Sequence, residues 1–175
     1  MAARRGDERA WIRGAQQGSV SDLEALFRHH WPKAYRAAYL VVHDSGAAED
    51  IAQEAFLAAV RGLDRFDRRR PFGPWLHRIV VNRAIDWSRA RTLRRESGNA
   101  ALELVAAPAA PDNPHAQTLA AALAGLSPEH RAVIVLRHLL EYTPGEIAEL
   151  LGLPRGTVNS RLRRGLDALS EELER

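Results

Sequence analysis

The sequence predicts an all-α fold: two small helical domains joined by a flexible linker, the C-terminal one a four-helix domain with a helix-turn-helix. Three observations carry this expectation. Apolar residues recur at helical spacing on both sides of residues 96–114. That stretch is itself Ala- and Pro-rich, with Pro108, Pro111 and Pro114 and no helical period. Residues 143–164, TPGEIAELLGLPRGTVNSRLRR, then read as two short helices meeting at a tight turn. The expected domains are therefore 1–95 and 115–175, with 96–114 between them.

In chain order, residues 7–17 form a short amphipathic helix with Trp11 and Ile12 on its apolar side, closed by Gly18. Ser21 or Asp22 is expected to cap a longer helix whose stripe is Leu23, Leu26, Phe27, Trp31, Tyr35, Ala38, Tyr39 and Val42, with Pro32 kinking or interrupting it. These aromatics are expected in the core. His29, His30, His43 and His77 lack metal-ligand spacing, so surface or core roles are expected.

Residues 47–63, AAEDIAQEAFLAAVRGL, separate into two faces on a helical wheel. Ile51, Ala52, Ala55, Phe56, Ala59 and Leu63 make one. Asp50, Gln53, Glu54, Leu57 and Arg61 make the other, where Leu57 stands among polar neighbours. Such a face is either plain solvated surface or a docking surface with an apolar anchor and a charged rim.

A polar loop over 64–70 holds Phe66, and a helix is expected from Pro71 to about Arg95. Its buried side reads Phe72, Leu76, Ile79, Val80, Ala84 and Trp87. Arg78, Asn82, Ile85 and Arg89 recur on the far side, with Asp86 adjacent. In a nucleic-acid protein these donors and apolar groups could hold phosphates and cradle an unstacked base, with Phe66 and Trp75 as aromatic neighbours. The alternative is that both aromatics are core and the arginines only solubilise.

The 19 residues of the linker could reach roughly 60 Å, because each residue spans at most about 3.3 to 3.6 Å. Helices over 115–124 and 127–140 follow, the second announced by Ser127-Pro128-Glu129. Thr143 and Glu146 then form a capping box with Pro144 at the first helical position, Ile147, Ala148 and Leu151 are the buried stripe, and Gly152 makes the turn. In the next helix, Val158, Leu162, Leu166 and Leu169 supply the buried side. Arg155, Gly156, Thr157, Asn159, Ser160, Arg163 and Arg164 are left outside, where they can donate to phosphates or to base edges in the major groove.

The bulk numbers narrow the function. With 46% hydrophobic and 27% charged residues, the chain belongs with soluble globular proteins. Zero Cys removes disulfides, thiolate metal sites and cysteine nucleophiles together. No apolar run is long enough to span a bilayer and no signal-peptide pattern opens the chain, so no membrane insertion and a cytoplasmic location are expected. The net charge of +3 is uneven: residues 68–95 hold nine Arg against Asp86 alone. A cationic block of that density attracts polyanions by counterion release.

Three blocks together closely resemble the group IV, extracytoplasmic-function sigma factors of bacterial RNA polymerase: AEDIAQEAFLAAVRGLDRFD (48–67), PFGPWLHRIVVNRAIDWSRARTLRR (71–95) and LSPEHRAVIVLRHLLEYTPGEIAELLGLPRGTVNSRLRRGLDAL (126–169). The resemblance covers nearly the whole chain. It implies that Asp50, Gln53, Glu54, Leu57 and Arg61 dock on the clamp helices of the polymerase largest subunit, and that the second domain reaches its flap. It also implies that Phe66, Arg78, Asn82, Asp86 and Arg89 read and melt the promoter -10 element, with Asn82 and Asp86 at the family's N-x-x-x-D positions. The helix-turn-helix would read the -35 element, and the linker would follow the RNA-exit path. Asn159 departs from the Lys or Arg common at its place in relatives. Many relatives are held by an anti-sigma factor that covers both domains.

The resulting expectation is a protein that acts by positioning, placing two heads on promoter DNA while bound to core RNA polymerase. A stand-alone helix-turn-helix regulator is the alternative. An enzyme is not expected, since there is no phosphate-cradling glycine loop, paired-carboxylate motif or activated nucleophile, and no cofactor is implied.

Overall fold

The computed structural model describes residues 5–97 and 114–174, so 98–113, most of the expected linker, lie outside the described residues. The described chain is helical, with no strand among its residues: α1 (Arg5–Gln16), α2 (Val20–Val42), α3 (Ser45–Gly62), α4 (Phe72–Glu96), α5 (Pro114–Ala124), α6 (Pro128–Ile134), α7 (Pro144–Leu151) and α8 (Arg155–Leu173).

Local chemistry sets the helix ends. Gly18 turns the chain at φ +88°, and Ser19 follows in extended conformation with its hydroxyl accepting the Asp22 N–H. The cap of α2 is therefore Ser19 rather than Ser21 or Asp22, because the glycine lets the helix begin two residues earlier. Pro32 does not interrupt α2, which runs unbroken for 23 residues. Pro32 lies on the exposed side of the helix, and packing on α3 and α4 holds the rest. The Asp44 carboxylate caps α3 by accepting the Ala47 N–H at 2.9 Å.

The first helical group buries Ile12, Leu26, Ala34, Ala38 and Val41 against Ala55, Phe56 and Ala59 of α3 and Leu76, Val80 and Ala84 of α4. The alanines let the three backbones approach closely, and removing these side chains from water is the main stabilising term. The expected core aromatics of α2 are only partly inside. Phe27 is 39% exposed, and Trp31, Tyr35 and Tyr39 are half-buried in a ladder one helical turn apart.

In the second group the helix expected over 127–140 is α-helical only to Ile134. A π-turn over Val135–Leu139 follows, closed by the Leu140 N–H on the Val135 carbonyl at 3.1 Å. Glu141 then takes φ +62°, and the Tyr142 N–H returns to the Leu136 carbonyl at 3.0 Å. Leu166, expected on the buried side of α8, is 41% exposed, while Gly165 faces α6. The crossing is close enough that a Cβ on Gly165 would lie 3.0 Å from Ile134 Cδ1 and 3.3 Å from His130 Cβ.

The two groups pack on each other through α4. Val81 and Ile85 share one apolar cluster with Val133, Leu136, Leu140, Ile147 and Leu150. Ile85, expected on the outer face of α4, is therefore buried at 7% exposure, because the C-terminal helices cover the side of α4 turned away from α2 and α3. Ile79 and Trp87, expected inside, are half-buried.

Candidate nucleic-acid interface

The outer face of α3 presents Asp50, Gln53, Glu54, Leu57 and Arg61, all exposed. Leu57 is 54% exposed, and Val60, which the sequence reading did not single out, is 40% exposed beside it in sequence. Phe27 adds a third exposed apolar group from α2, with its ring 4.8 Å from that of Phe56. The charged rim is organised: Gln53 Nε2 donates to Glu49 at 3.2 Å, and Arg83 of α4 donates to Glu54 at 2.6 Å. Arg83 was not legible as a neighbour of this face, since 29 residues separate it from Glu54.

The loop between α3 and α4 is held from below. Gln16 Nε2 of α1 donates to the Leu63 carbonyl at 2.9 Å and to the Phe66 carbonyl at 3.1 Å. Phe66 stacks on Trp75 with centroids 4.7 Å apart and an interplanar angle of 29°, and meets Phe72 edge-on at 5.7 Å. Gly62 leaves room for the indole, since a Cβ there would lie 3.2 Å from the Trp75 ring. Farther along the loop, side-chain hydrogen bonds from Arg69 hold the Asp67 carboxyl below its ordinary range.

These groups open onto a cleft of about 750 Å³. Phe66, Trp75, Arg65, Arg70 and Arg78 lie on one side of it, and Tyr142, Glu146 and Glu149 on the other. Of the sequence-predicted α4 residues, Phe66 and Arg78 thus share one cleft. Asn82, half-buried, and Asp86, exposed, continue the same helix face outside its lining. Arg89 Nε donates to Glu129 of α6 at 2.7 Å. Arg65 and Arg70 were missed because loop residues carry no periodicity to assign them a direction.

His77 lies behind this face at 5% exposure, with Nδ1 at 2.7 Å from the Tyr142 hydroxyl. Burial, then the nearby His30 and Lys33, bring its imidazole from 6.5 down to about 3. Burial likewise pushes the Tyr142 phenol up.

The helix-turn-helix is built as the sequence reading expects. The Thr143 N–H donates to Glu146 at 2.8 Å, and the Glu146 N–H returns to Thr143 Oγ1 at 3.3 Å, closing the capping box. Those bonds hold the Glu146 carboxyl below its ordinary range. Gly152 ends α7 at φ +65°, a conformation open to glycine. Val158, Leu162 and Leu169 anchor α8. Arg155, Gly156, Asn159, Arg163 and Arg164 are exposed, and Thr157 and Ser160 are half-buried beside them. Among the described residues Arg155, Arg163 and Arg164 form no ion pair, so their charge is open to an external anion.

Comparison with known proteins gives two family matches. The Sigma-70 region 2 profile matches residues 26–94, and the Sigma-70 region 4 profile matches residues 116–169. The ECF RNA polymerase sigma factor SigW of Bacillus subtilis strain 168 is 31% identical over 176 residues, covering 93% of this chain and 92% of the relative. SigL of Mycobacterium tuberculosis is 32% identical, covering 94% and 96%. Among solved structures, CnrH in complex with the cytosolic domain of CnrY matches with a TM-score of 0.69 at 29% identity, covering 96% of this chain and 97% of that one. The sigma factor RpoE, in complex with the anti-sigma factor NepR from Bartonella quintana, shares the fold with a TM-score of 0.71 at 24% identity, covering 89% and 98%.

Proposed function

Because the chain belongs to the extracytoplasmic-function sigma factors of RNA polymerase, we propose a division of labour among its three exposed surfaces. The outer face of α3, with Asp50, Gln53, Glu54, Leu57 and Arg61, docks on the polymerase clamp helices. Leu57 is the anchor, a large apolar group left in water that is covered only when the partner arrives. The loop and α4, with Phe66, Arg78, Asn82, Asp86 and Arg89, engage the -10 element. Stacked aromatics beside arginines suit an unpaired base and its phosphates. The outer face of α8, from Arg155 to Arg164, enters the major groove at the -35 element. In this scheme residues 1–95 and 115–175 are the two heads.

The protein works by positioning and carries out no reaction of its own. Its work lies in the cytoplasm, where core enzyme and promoter are. An anti-sigma factor is a further partner, as NepR is for RpoE. The region 2 match over 26–94 sets aside a stand-alone helix-turn-helix regulator, which would have no use for that domain.

The observation that carries the scheme is the exposed Leu57 within an otherwise polar, ion-paired face on the same unit as the arginine-aromatic cleft. Run-off transcription with purified core enzyme on a genomic promoter library tests it. Start sites that depend on the added chain support the reading, and the absence of any such start site sinks it.

A further inference from the structure

On the other side of α4 the two helical groups enclose a second cavity, of about 480 Å³, between the C-terminal ends of α2 and α4 and the α5–α6 turn. None of the residues assigned above to polymerase or promoter lines it. Three of its lining residues carry buried hydrogen-bonding atoms with no partner among the described residues: His43 Nε2, Ser88 Oγ and Arg131 Nε. Ser88 is 5% exposed and Arg131 9%. Unmet hydrogen-bonding capacity is costly in the interior, and a buried guanidinium lacking a counter-ion costs more.

The balance of charge around the cavity is positive. Arg91, Arg95 and Arg131 all line it. Arg91 is engaged with Asp44 at 3.4 Å and lies over the Trp87 ring at 5.0 Å. Glu129, the carboxylate that draws on Arg131, is bonded to Arg89. Burial takes the Arg131 guanidinium down to about 10 against that opposing charge, and burial with Arg131 takes His43 down to about 4. The imidazole is thus neutral, and Arg131 is left with charge to spare.

We propose that this cavity is a binding site for a small free phosphate-type oxyanion, held by Arg131 and Ser88 with His43 and the Arg95 edge around it. The donors come from α4 and α6, which suits a tetrahedral acceptor with oxygens on all sides better than a flat carboxylate. Phosphate also keeps a proton near neutral pH, so it can serve a neutral imidazole as donor or acceptor. The site lies between the two groups, where the rigid backbone of a duplex does not fit. Because both groups supply its walls, occupancy ties them together in the arrangement described.

The test is a titration of the full chain with inorganic phosphate, read by thermal unfolding and phosphorus NMR line width, against potassium chloride at matched ionic strength. Phosphate is expected to give a saturable rise in unfolding temperature. Ser88→Ala should leave the phosphate-free unfolding temperature nearly unchanged and weaken phosphate about tenfold, and Arg131→Gln should abolish the effect. If Arg131→Gln does not fold, Ser88→Ala decides alone. A response no larger than that to chloride, or an equal response in wild type and Ser88→Ala, overturns the proposal. Displacement of bound phosphate by a DNA duplex overturns it as well, by making the site a backbone contact.

Discussion

His77 Nδ1 and the Tyr142 hydroxyl meet at 2.7 Å across 65 residues of sequence, joining the middle of α4 to the residue just before the helix-turn-helix. With the Arg89–Glu129 pair at 2.7 Å, this contact holds the proposed -10 helix against the C-terminal group. Two heads that must reach separate promoter elements have to release these bonds.

Tyr142→Phe combined with Glu129→Gln should therefore favour the open form. The expected cost is about 1 to 2 kcal/mol for the lost buried hydrogen bond and under about 1 kcal/mol for the more exposed ion pair. Small-angle scattering should show a larger radius of gyration for the double variant than for wild type. An unchanged radius would mean that the apolar cluster around Ile85 and Leu136 holds the groups together without the polar contacts.

The depressed imidazoles give stability a pH dependence of definite sign. His77 stays neutral in the fold down to about 3 and His43 down to about 4, while in the unfolded chain each takes up a proton below its ordinary 6.5. Unfolding then binds protons, so this contribution is complete above pH 6.5 and is lost as pH falls toward 4. Each histidine should cost about 2 kcal/mol by pH 5. Urea unfolding at pH 7 and pH 5 measures the drop, and His77→Gln should remove its share. A drop unchanged in that variant would place the titration elsewhere.

Leu57→Asp with Gln53→Ala should weaken core-polymerase binding tenfold or more. Both positions face outward, so unfolding free energy should move by no more than about 0.5 kcal/mol. A pull-down on core enzyme, with circular dichroism as the folding control, separates the two effects. Wild-type affinity would remove the docking role from this face.

Asn82→Ala should impair strand opening more than recruitment to the duplex, since its place on α4 is beyond the cleft that Phe66 and Arg78 line. Permanganate reactivity reports opening and filter binding reports recruitment. Equal losses in the two assays would contradict the separation.

Gly165→Val should destabilise the C-terminal group by about 1 to 3 kcal/mol, because even a Cβ there falls within 3.0 Å of Ile134 and 3.3 Å of His130. Thermal unfolding would show it as a lower midpoint. No change in the midpoint would mean that α8 can move off α6 freely.

What could be read from the sequence was whatever depends on neighbours within a few residues. The Thr143–Glu146 box, the Gly152 turn and the polar face around Leu57 are set by local spacing, and the structure has all three. Ile85 shows where that reading stops. One turn of α4 looks outward when only α2 and α3 are considered, and it becomes core once a second helical group lands on it. Leu166 and Gly165 exchange roles for a related reason, since the pattern of large apolar residues does not reveal that two backbones cross closely enough to require glycine. The cap at Ser19 and the passage of α2 through Pro32 are cases where tertiary packing and a glycine turn outweigh the usual preference. The buried arginines around the second cavity carried no sequence signal, because arginine is normally a surface residue.

The π-turn at Val135–Leu139 has a consequence for length variation in this segment. It accommodates a surplus residue, so deleting one position between 135 and 139 would restore ordinary helical winding and rotate all that follows by about 100°. The phenol would swing away from the imidazole it now touches, and the DNA-reading helix would leave with it. A single-codon loss there would disturb the juncture of the two halves more than a longer change in an exposed loop.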